Sequence, residues 1–517
     1  MTFSRRAFLQ LSGAAAAVPM LPHFLSTEQK AASALCSKLA SDPLRPQYHL
    51  LPASNWMNDP NGPIFYRGRY HMFHQYNPKG AVWGNMNWAH ASSTDMVYWR
   101  HEPIAISPTP GGFDRDGVFS GSAVLDHGVP TVIYTGVLPP AAENEATLRD
   151  GVHTWREVQC LAVSHDPNLR TWEKLADPVI ASPPPGMEVT GFRDPFVWRE
   201  GDSWLLIVGS GFKNKGGAIL LYKSTDLRHW TYLHTLVEGV GNTKDIVNPV
   251  DKGDMWECPD FFPLGAKHVL LISTEGKVRW KVGTYKEQRF TPEKEGVVDW
   301  GAYYAAKTMP DRDGNRILWG WIPETRPEAE HNAAGWAGAM ALPRVLSLNA
   351  EGELQMEVAP SVRKLRRAHV SFSSQATVDA RHKALESLRI HDLAAEVSLK
   401  FHLKMDQPFT LRLQSETGEK FATMTCAAKS SGRELTVNDV TAPLAGAADS
   451  SVHLQMYLDG SVLEVFANGT TTLTARIYQA PRGLLRLIVE RDAQLAALDV
   501  WQMQPISQDR LTHSLCG

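Results

Sequence analysis

The chain has 517 residues, with 52 basic and 55 acidic side chains that nearly cancel to a formal charge of -3. A single hydrophobic core usually stops growing below this length, so two domains or a repeat architecture is expected and a single small module is excluded. With 21% charged and 43% hydrophobic residues the composition is globular, which argues against disorder and against a nucleic-acid binder working through an overall basic field.

At the N-terminus, Arg5 and Arg6 precede Phe8-Leu9, a weakly apolar stretch and a small-residue site at Ala32-Ser33-Ala34. This order predicts a twin-arginine signal peptide over residues 1–34, outside the fold, with export to the periplasm or beyond and no stable membrane insertion after its removal. No apolar run reaches the roughly 18 to 20 residues that a membrane span needs. The five cysteines, Cys36, Cys160, Cys258, Cys426 and Cys516, are too scattered for a disulfide scaffold or a CxxC metal site. A bridge between Cys36 and Cys516 would tie the two ends together.

From residue 45 to 348 a theme recurs: a turn with Asp, Ser or Pro, an aromatic-rich strand, a hairpin, then an apolar strand. Units of this kind start at Asp59, Ser120, Arg193, Cys258 and Asp299. A second recurrence is a Ser-x-Asp turn followed by Trp, at Asp95 with Trp99, Asp166 with Trp172 and Asp226 with Trp230. The pattern predicts an all-β, five-bladed β-propeller, with a generic sandwich as the alternative. Residues 349–370, with a basic run around Arg363 to Arg367, read as a linker with a solvated face. Beyond it, over 371–507, period-two alternation broken by turns such as Asp459-Gly460 predicts a C-terminal β-sandwich.

The first strand of each propeller blade lines the central channel, so the starts of the units converge there. Three carry an acid beside a proline: Asp59 with Pro60, Asp194 with Pro195, and Glu257 with Pro259 two positions on. Asp before Pro is common in turns for its own hydrogen bonds. Three carboxylates in one pocket, however, would repel and raise at least one pKa, and a carboxylate pair is what glycoside cleavage requires. Asn58, Gln75 and Ser120 offer neutral donors and acceptors for a polyhydroxylated ligand. Trp56, Trp83, Trp319, Trp321 and Phe119 offer flat apolar faces, although each Trp serves equally well as core filler between blades. Arg193 is placed to clamp a hydroxyl and to hold Asp194 ionised.

Rival sites are weaker. Asp311 to Asn315 mimics the start of a calcium loop, but the twelfth position is Ile322 rather than Glu, so a hairpin turn is expected. His71 and His74, three apart on a strand, point to opposite faces and make a poor metal pair. No metal or cofactor is expected.

Taken in order, WMNDPNG (from Trp56), FSGS (from Phe119), FRDP (from Phe192), WECPDFF (from Trp256), DWGAYYAAKT (from Asp299) and ILWGW (from Ile317) resemble the signature of glycoside hydrolase family 32, the β-fructosidases. The run from Tyr457 to Tyr478 resembles that family's accessory sandwich, and the resemblance extends from about Pro46 to Gln504. It implies a propeller plus sandwich that cleaves β-D-fructofuranosides with retention. By resemblance, Asp59 would be the nucleophile, Glu257 the general acid and later base, and Asp194 the group that binds fructose hydroxyls and stabilises the transition state. Asn58, Gln75, Trp83, Ser120 and Arg193 match positions that shape the fructose subsite, with Phe119 and Trp321 as further contacts. Cys258 would help to keep the acid's pKa high. WECPD and the segment Gly335 to Arg344 look most like sucrose-splitting members, so sucrose is the expected substrate, with terminal fructose of levan or inulin as the alternative. A transferase would use the same intermediate, and a non-catalytic fructan-binding module would require the loss of an acid, whereas all three are present.

Overall fold

The computed structural model describes residues 27–139, 147–148, 154–242, 248–447, 449–490 and 494–512. Between Asn55 and Val358 the chain forms five antiparallel sheets one after another, and a graded burial sets their orientation. In the third sheet, the second strand, Ser203–Phe212, is an unbroken apolar run whose Leu205 to Val208 are fully buried. The fourth strand of the fourth sheet, Arg289–Val297, is mostly exposed. Continuous apolar strands are covered on both faces, whereas alternating or polar ones sit at the rim, so each sheet runs from buried centre to solvent. The first strands, Asn55–Tyr66, Gly117–Asp126, Phe192–Glu200, Glu257–Leu264 and Tyr304–Pro310, touch one another in a closed ring. This is a β-propeller, with the ring around its axis. The chain closes it by laying Trp336–Ala337 parallel to the first strand of the first sheet.

The recurrent Ser-x-Asp motif is a turn between a sheet's outer strands. Asp95 and Asp226 each accept two backbone N–H groups from the following residues through Oδ1, and Asp166 accepts two through both oxygens. In each turn the next nonpolar residue, Met96, Leu169 or Leu227, takes a positive φ of 56° to 65° and is buried. The carboxylate's backbone hydrogen bonds hold that left-handed conformation in place.

The C-terminal part is a β-sandwich with sheets of six and five strands, filled by residues such as Leu399, Leu411, Met424 and Leu463. Residues 349–370 are not a free linker. Leu354–Val358 is the outermost strand of the fifth sheet and Arg366–Phe372 already belongs to the sandwich, leaving the 3₁₀ turn Pro360–Leu365 as the connection. Nor is the basic run wholly solvated: Arg366 pairs with the buried Glu396, and its guanidinium lies 3.7 Å from the Trp501 ring centroid.

Residues 1–26, which hold the paired arginines, lie outside the described residues. The Ala32-Ser33-Ala34 site falls within a helix, Thr27–Ser41, whose Leu39 is buried among the fourth and fifth sheets. Cys36 on this helix is disulfide-bonded, Cys160, Cys258 and Cys426 are free, and Cys516 lies outside the described residues. No described helix is long and apolar enough to cross a membrane.

The two domains meet over a buried ionic network. The Asp459 carboxylate, at the hairpin read from Asp459-Gly460, accepts the backbone N–H groups of Gln47, Tyr48 and His49 at 2.5 to 2.9 Å. The His49 ring bridges Asp459 (2.8 Å) and Glu464 (2.9 Å), and Arg344 joins Glu464 (2.6 Å) to Asp299 (2.9 Å), all fully buried. Burial alone would lower the His49 pKa, but hydrogen bonds and charges from both carboxylates outweigh it and raise it to about 9. Glu464 is likewise penalised by burial, yet Arg344 and His49 hold it down at about 2.

A raised histidine pKa stabilises the fold fully below the unfolded value near 6.5, and that stability is lost as pH climbs towards 9. Thermal unfolding from pH 6 to 10 should show a falling midpoint across this window. His49→Gln should start lower at pH 6 and flatten the slope; an unchanged slope would show that His49 is not the group titrating.

Candidate active site

All five ring strands carry the same irregularity. Their pairing with the second strand slips by one residue, two ring-strand residues standing opposite one, between Met57 and Pro60, Val118 and Gly121, Arg193 and Phe196, Glu257 and Asp260, and Tyr304 and Lys307. Within these bulges Asp194, Cys258 and Ala305 have φ of 65°, 48° and 54°. A bulge turns a side chain away from the regular alternation of a strand and aims it elsewhere. Here the bulged residues of the first three sheets are Asn58-Asp59, Phe119-Ser120 and Asp194-Pro195, while Glu257 sits at the edge of the fourth. The sequence reading placed the acids in turns. They stand instead at bulges inside strands, where Pro60, Pro195 and Pro259 cost no ladder hydrogen bond.

The bulges bring the predicted residues to one opening of about 40 Å³, lined by Asn58, Asp59, Gln75, Trp83, Phe119, Ser120, Arg193, Asp194 and Glu257, together with Met86. Asp59 accepts hydrogen bonds from Asn58 Nδ2 (3.1 Å), Ser120 Oγ (2.6 Å) and Cys258 Sγ (3.4 Å). Asp194 Oδ2 accepts the Cys258 backbone N–H (2.8 Å) and faces its Sγ (3.5 Å). Glu257 receives Arg193 Nε (3.0 Å) and Nη2 (2.8 Å) on Oε1 and the Tyr304 hydroxyl (3.0 Å) on Oε2. Gln75 donates to Val118 O (3.0 Å), while its buried Oε1 has no protein partner and remains available to a ligand hydroxyl.

Two expectations change. Arg193 is not hydrogen-bonded to Asp194, although its charge still pulls the Asp194 pKa down: its hydrogen bonds go to Glu257 and, through Nη1, to Glu157 at 2.9 Å. Cys258 does not touch the carboxyl of Glu257; its sulfur lies between Asp59 and Asp194, and burial followed by their charges pushes the thiol pKa well up, so it remains a donor. Trp321 lines a neighbouring, larger pocket of about 290 Å³ together with Tyr303, Tyr304 and Asp251. Glu257 borders both spaces. Trp319 is core, and Trp56 serves the site indirectly by donating its indole N–H to Asn58 Oδ1 (2.8 Å).

Electrostatics follow from crowding acids in a confined space. Burial raises the Asp59 pKa; the Ser120 hydrogen bond opposes the shift and the Glu257 charge adds to it. Burial also raises Asp194, against the pull of Arg193 and with a further push from Glu257 and Asp59. Among the described residues no group of three or more His, Cys, Asp or Glu side chains is arranged to hold a metal ion.

Three contributors were missed. Tyr304 stood inside a quoted motif without a role. Glu157 carries no motif, and only the pairing of strands brings it under Arg193. Trp155 completes an aromatic cluster with Trp83 and Phe119, with ring centroids about 6 Å apart.

Residues 49–358 match the glycosyl hydrolases family 32 N-terminal domain, and residues 361–502 match the glycosyl hydrolases family 32 C-terminal domain. The chain belongs to glycosyl hydrolase family 32. It is 35% identical to the sucrose-6-phosphate hydrolase of Escherichia coli, over 84% of this chain and 90% of that protein. It is 33% identical to the raffinose invertase of Escherichia coli, over 89% and 95% respectively. Its fold resembles the crystal structure of fructan 1-exohydrolase IIa from Cichorium intybus, with a TM-score of 0.74, 27% identity, and 90% of this chain and 98% of that chain covered. The protein is thus a glycoside hydrolase acting on fructosides, as its motifs implied.

Arg193 is the only described cation hydrogen-bonded to this acidic cluster, and removing it leaves Glu157 buried without its ionic partner. Arg193→Ala should cost about 3–5 kcal/mol in a denaturant melt, and adding Glu157→Gln should recover part of that loss. Equal midpoints for wild type and Arg193→Ala would refute this account of the pair.

Proposed function

We propose that the protein hydrolyses sucrose to glucose and fructose with retention, and that three carboxylates divide the work. An oxygen of Asp59 attacks C2 of the fructosyl unit while the bond from C2 to the glucose oxygen breaks, and Glu257 gives its proton to that departing oxygen. Glu257 then takes a proton from water, the water oxygen attacks C2, and Asp59 leaves. Asp194 binds fructose hydroxyls and faces the positive charge that develops on the ring. Asn58, Gln75 and Ser120 supply the polar contacts, and Trp83 and Phe119 form an apolar wall.

The observation that carries this reading is the single opening onto which Asp59, Asp194 and Glu257 converge from three different sheets. Glu257 borders the second pocket as well, the position a group needs if it is to protonate an oxygen passing between two sugar sites. The described lining of that second pocket includes Asp251 and Glu257 and no lysine or arginine, which favours an uncharged leaving group over a phosphorylated one. The resemblance to a fructan exohydrolase supports terminal fructose of fructans as the second reading. We also propose, from Arg5 and Arg6 with the following Phe8-Leu9, that residues 1–34 direct export by the twin-arginine route. Fusion of that segment to a reporter that must cross the membrane folded would test it, with loss of export expected for an Arg5→Lys, Arg6→Lys pair.

The substrate assignment is tested by a product profile on sucrose, sucrose 6-phosphate, levan and inulin. Equimolar glucose and fructose from sucrose is expected, with a lower kcat/KM for the phosphorylated sugar. Glucose released without free fructose would convert the reading to a transferase. Asp59→Ala and Glu257→Ala should each reduce sucrose turnover by about three or more orders of magnitude with unchanged folding. Near-normal activity in either would remove that residue from its role. Ser120→Ala removes a hydrogen bond that favours ionised Asp59, so the acidic limb of the kcat/KM profile should move to higher pH.

A further inference from the structure

The strand Thr471–Arg476 lies at the edge of the six-stranded sandwich sheet, where its backbone groups would be open to any partner. A propeller loop covers it: Trp300 N–H donates to Thr472 O (3.0 Å) and Ala302 N–H to Thr474 O (2.7 Å). The approach is so close that a Cβ on Gly301 would lie 1.9 Å from Thr474 O. At the root of this loop Asp299 is completely buried. Its Oδ1 accepts the backbone N–H groups of Gly301 (2.9 Å) and Thr474 (2.8 Å), and its Oδ2 accepts the hydroxyl of Thr474 (2.7 Å) and Nη2 of Arg344 (2.9 Å), while the Thr472 hydroxyl gives its proton to Val298 O (2.5 Å). Four residues on from Asp299, the same loop delivers Tyr303, over whose ring Arg344 sits at 4.3 Å, and then Tyr304, whose hydroxyl holds Glu257 Oε2. Gly301, Ala302, Tyr303 and Tyr304 also form one wall of the second pocket.

We propose that Thr474, a residue of the sandwich, is a positioning residue for the reaction: through Asp299 it fixes the Trp300–Tyr304 loop and thereby holds Glu257 in line with the leaving group. The sandwich then has a role in catalysis without touching substrate. This rests on Glu257 as the general acid. Fructose binding and attack by Asp59 depend on other sheets, so a loosened loop affects proton delivery to the leaving oxygen and leaves the nucleophile in place.

The test compares sucrose, whose glucose alkoxide cannot leave unprotonated, with p-nitrophenyl β-D-fructofuranoside, whose phenolate can. The value of kcat/KM reports only steps up to departure of the leaving group. Thr474→Val keeps shape and removes the hydroxyl. It should lower kcat/KM for sucrose roughly ten-fold, a partial loss of general-acid assistance, and leave the aryl substrate within about two-fold. Thr474→Ser keeps the hydroxyl and should restore both values. If Thr474→Val does not fold, Thr474→Ala removes the same hydroxyl with less bulk and is read in the same way. Equal losses on both substrates, or none on either, would overturn the proposal. Glu257→Ala separates the two levels: it should spare the aryl substrate relative to sucrose. If it does not, the acid assignment itself fails; if it does while neither threonine variant shows that selectivity, only the positioning role fails.

Discussion

A one-residue slip in each of five strands governs how this molecule presents its chemistry. Regular β-structure alternates side chains between two faces, and in a propeller both faces of a ring strand are covered by neighbouring sheets. Without the slips, an acid on such a strand would be buried against another sheet rather than turned to the axis. The bulges take Asn58-Asp59, Phe119-Ser120 and Asp194 out of the ladder at equivalent heights, beside Glu257 at the edge of a fourth. The positive φ values at Asp194 and Cys258 are a local strain of about 1–2 kcal/mol each, which the surrounding hydrogen bonds hold in place: Asp194 N–H donates to Thr135 Oγ1 and Cys258 N–H to Asp194.

Convergence brings an electrostatic difficulty. Asp59, Asp194 and Glu257 lie within reach of one another, and Arg193 is hydrogen-bonded to Glu257 and Glu157. The remaining two acids depend on neutral donors, namely Ser120, Asn58 and both the thiol and the backbone N–H of Cys258. Neutral donors moderate a pKa without neutralising the charge, so Asp59 and Asp194 stay above the ordinary carboxylate range. In the proposed reaction, a ring carbon that becomes positive in the transition state would relieve this repulsion, so the crowded carboxylates would stabilise the reaction's high point.

The repeat units and the sandwich were legible because their signals are local: apolar runs, hairpins and Ser-x-Asp turns each fix a few adjacent residues. Seven of the site's ten lining residues were legible inside motifs, which compress tertiary information into short strings, and Gln75 and Trp83 followed from the resemblance those motifs carry. What could not be read was direction. Arg193 stands next to Asp194 in sequence, and adjacency suggested a pair, but the bulge turns the two side chains apart and sends the guanidinium to Glu257 and Glu157. Likewise Cys258 follows Glu257, yet its sulfur meets the acids from the first and third sheets. Glu157 carries no motif, Thr474 stands inside the quoted sandwich run without a role, and their partners lie more than 30 residues away. The basic stretch 349–370 looked like a linker from composition, which cannot register that Arg366 has a buried carboxylate waiting on another strand.

The interface between the domains uses polar groups where hydrophobic packing would have held the two together more cheaply. His49, Arg344, Asp299, Asp459 and Glu464 are all fully buried, and burying that many charges gains little net stability over apolar residues of similar size. What such a network provides is direction, since each carboxylate is satisfied only in one relative placement of the two domains. Asp459 fixes the segment that leads into the first ring strand, and Asp299 fixes the loop that leads into the fifth. The first and fifth sheets are neighbours in the ring, so the sandwich grips the propeller across the seam where the chain closes its circle. The seam is joined by the pairing of Trp336–Ala337 with Asn55-Trp56 and by the packing of the first ring strand on the fifth. Glu257 lies one strand away from the seam, and the register of the seam reaches it through Tyr304.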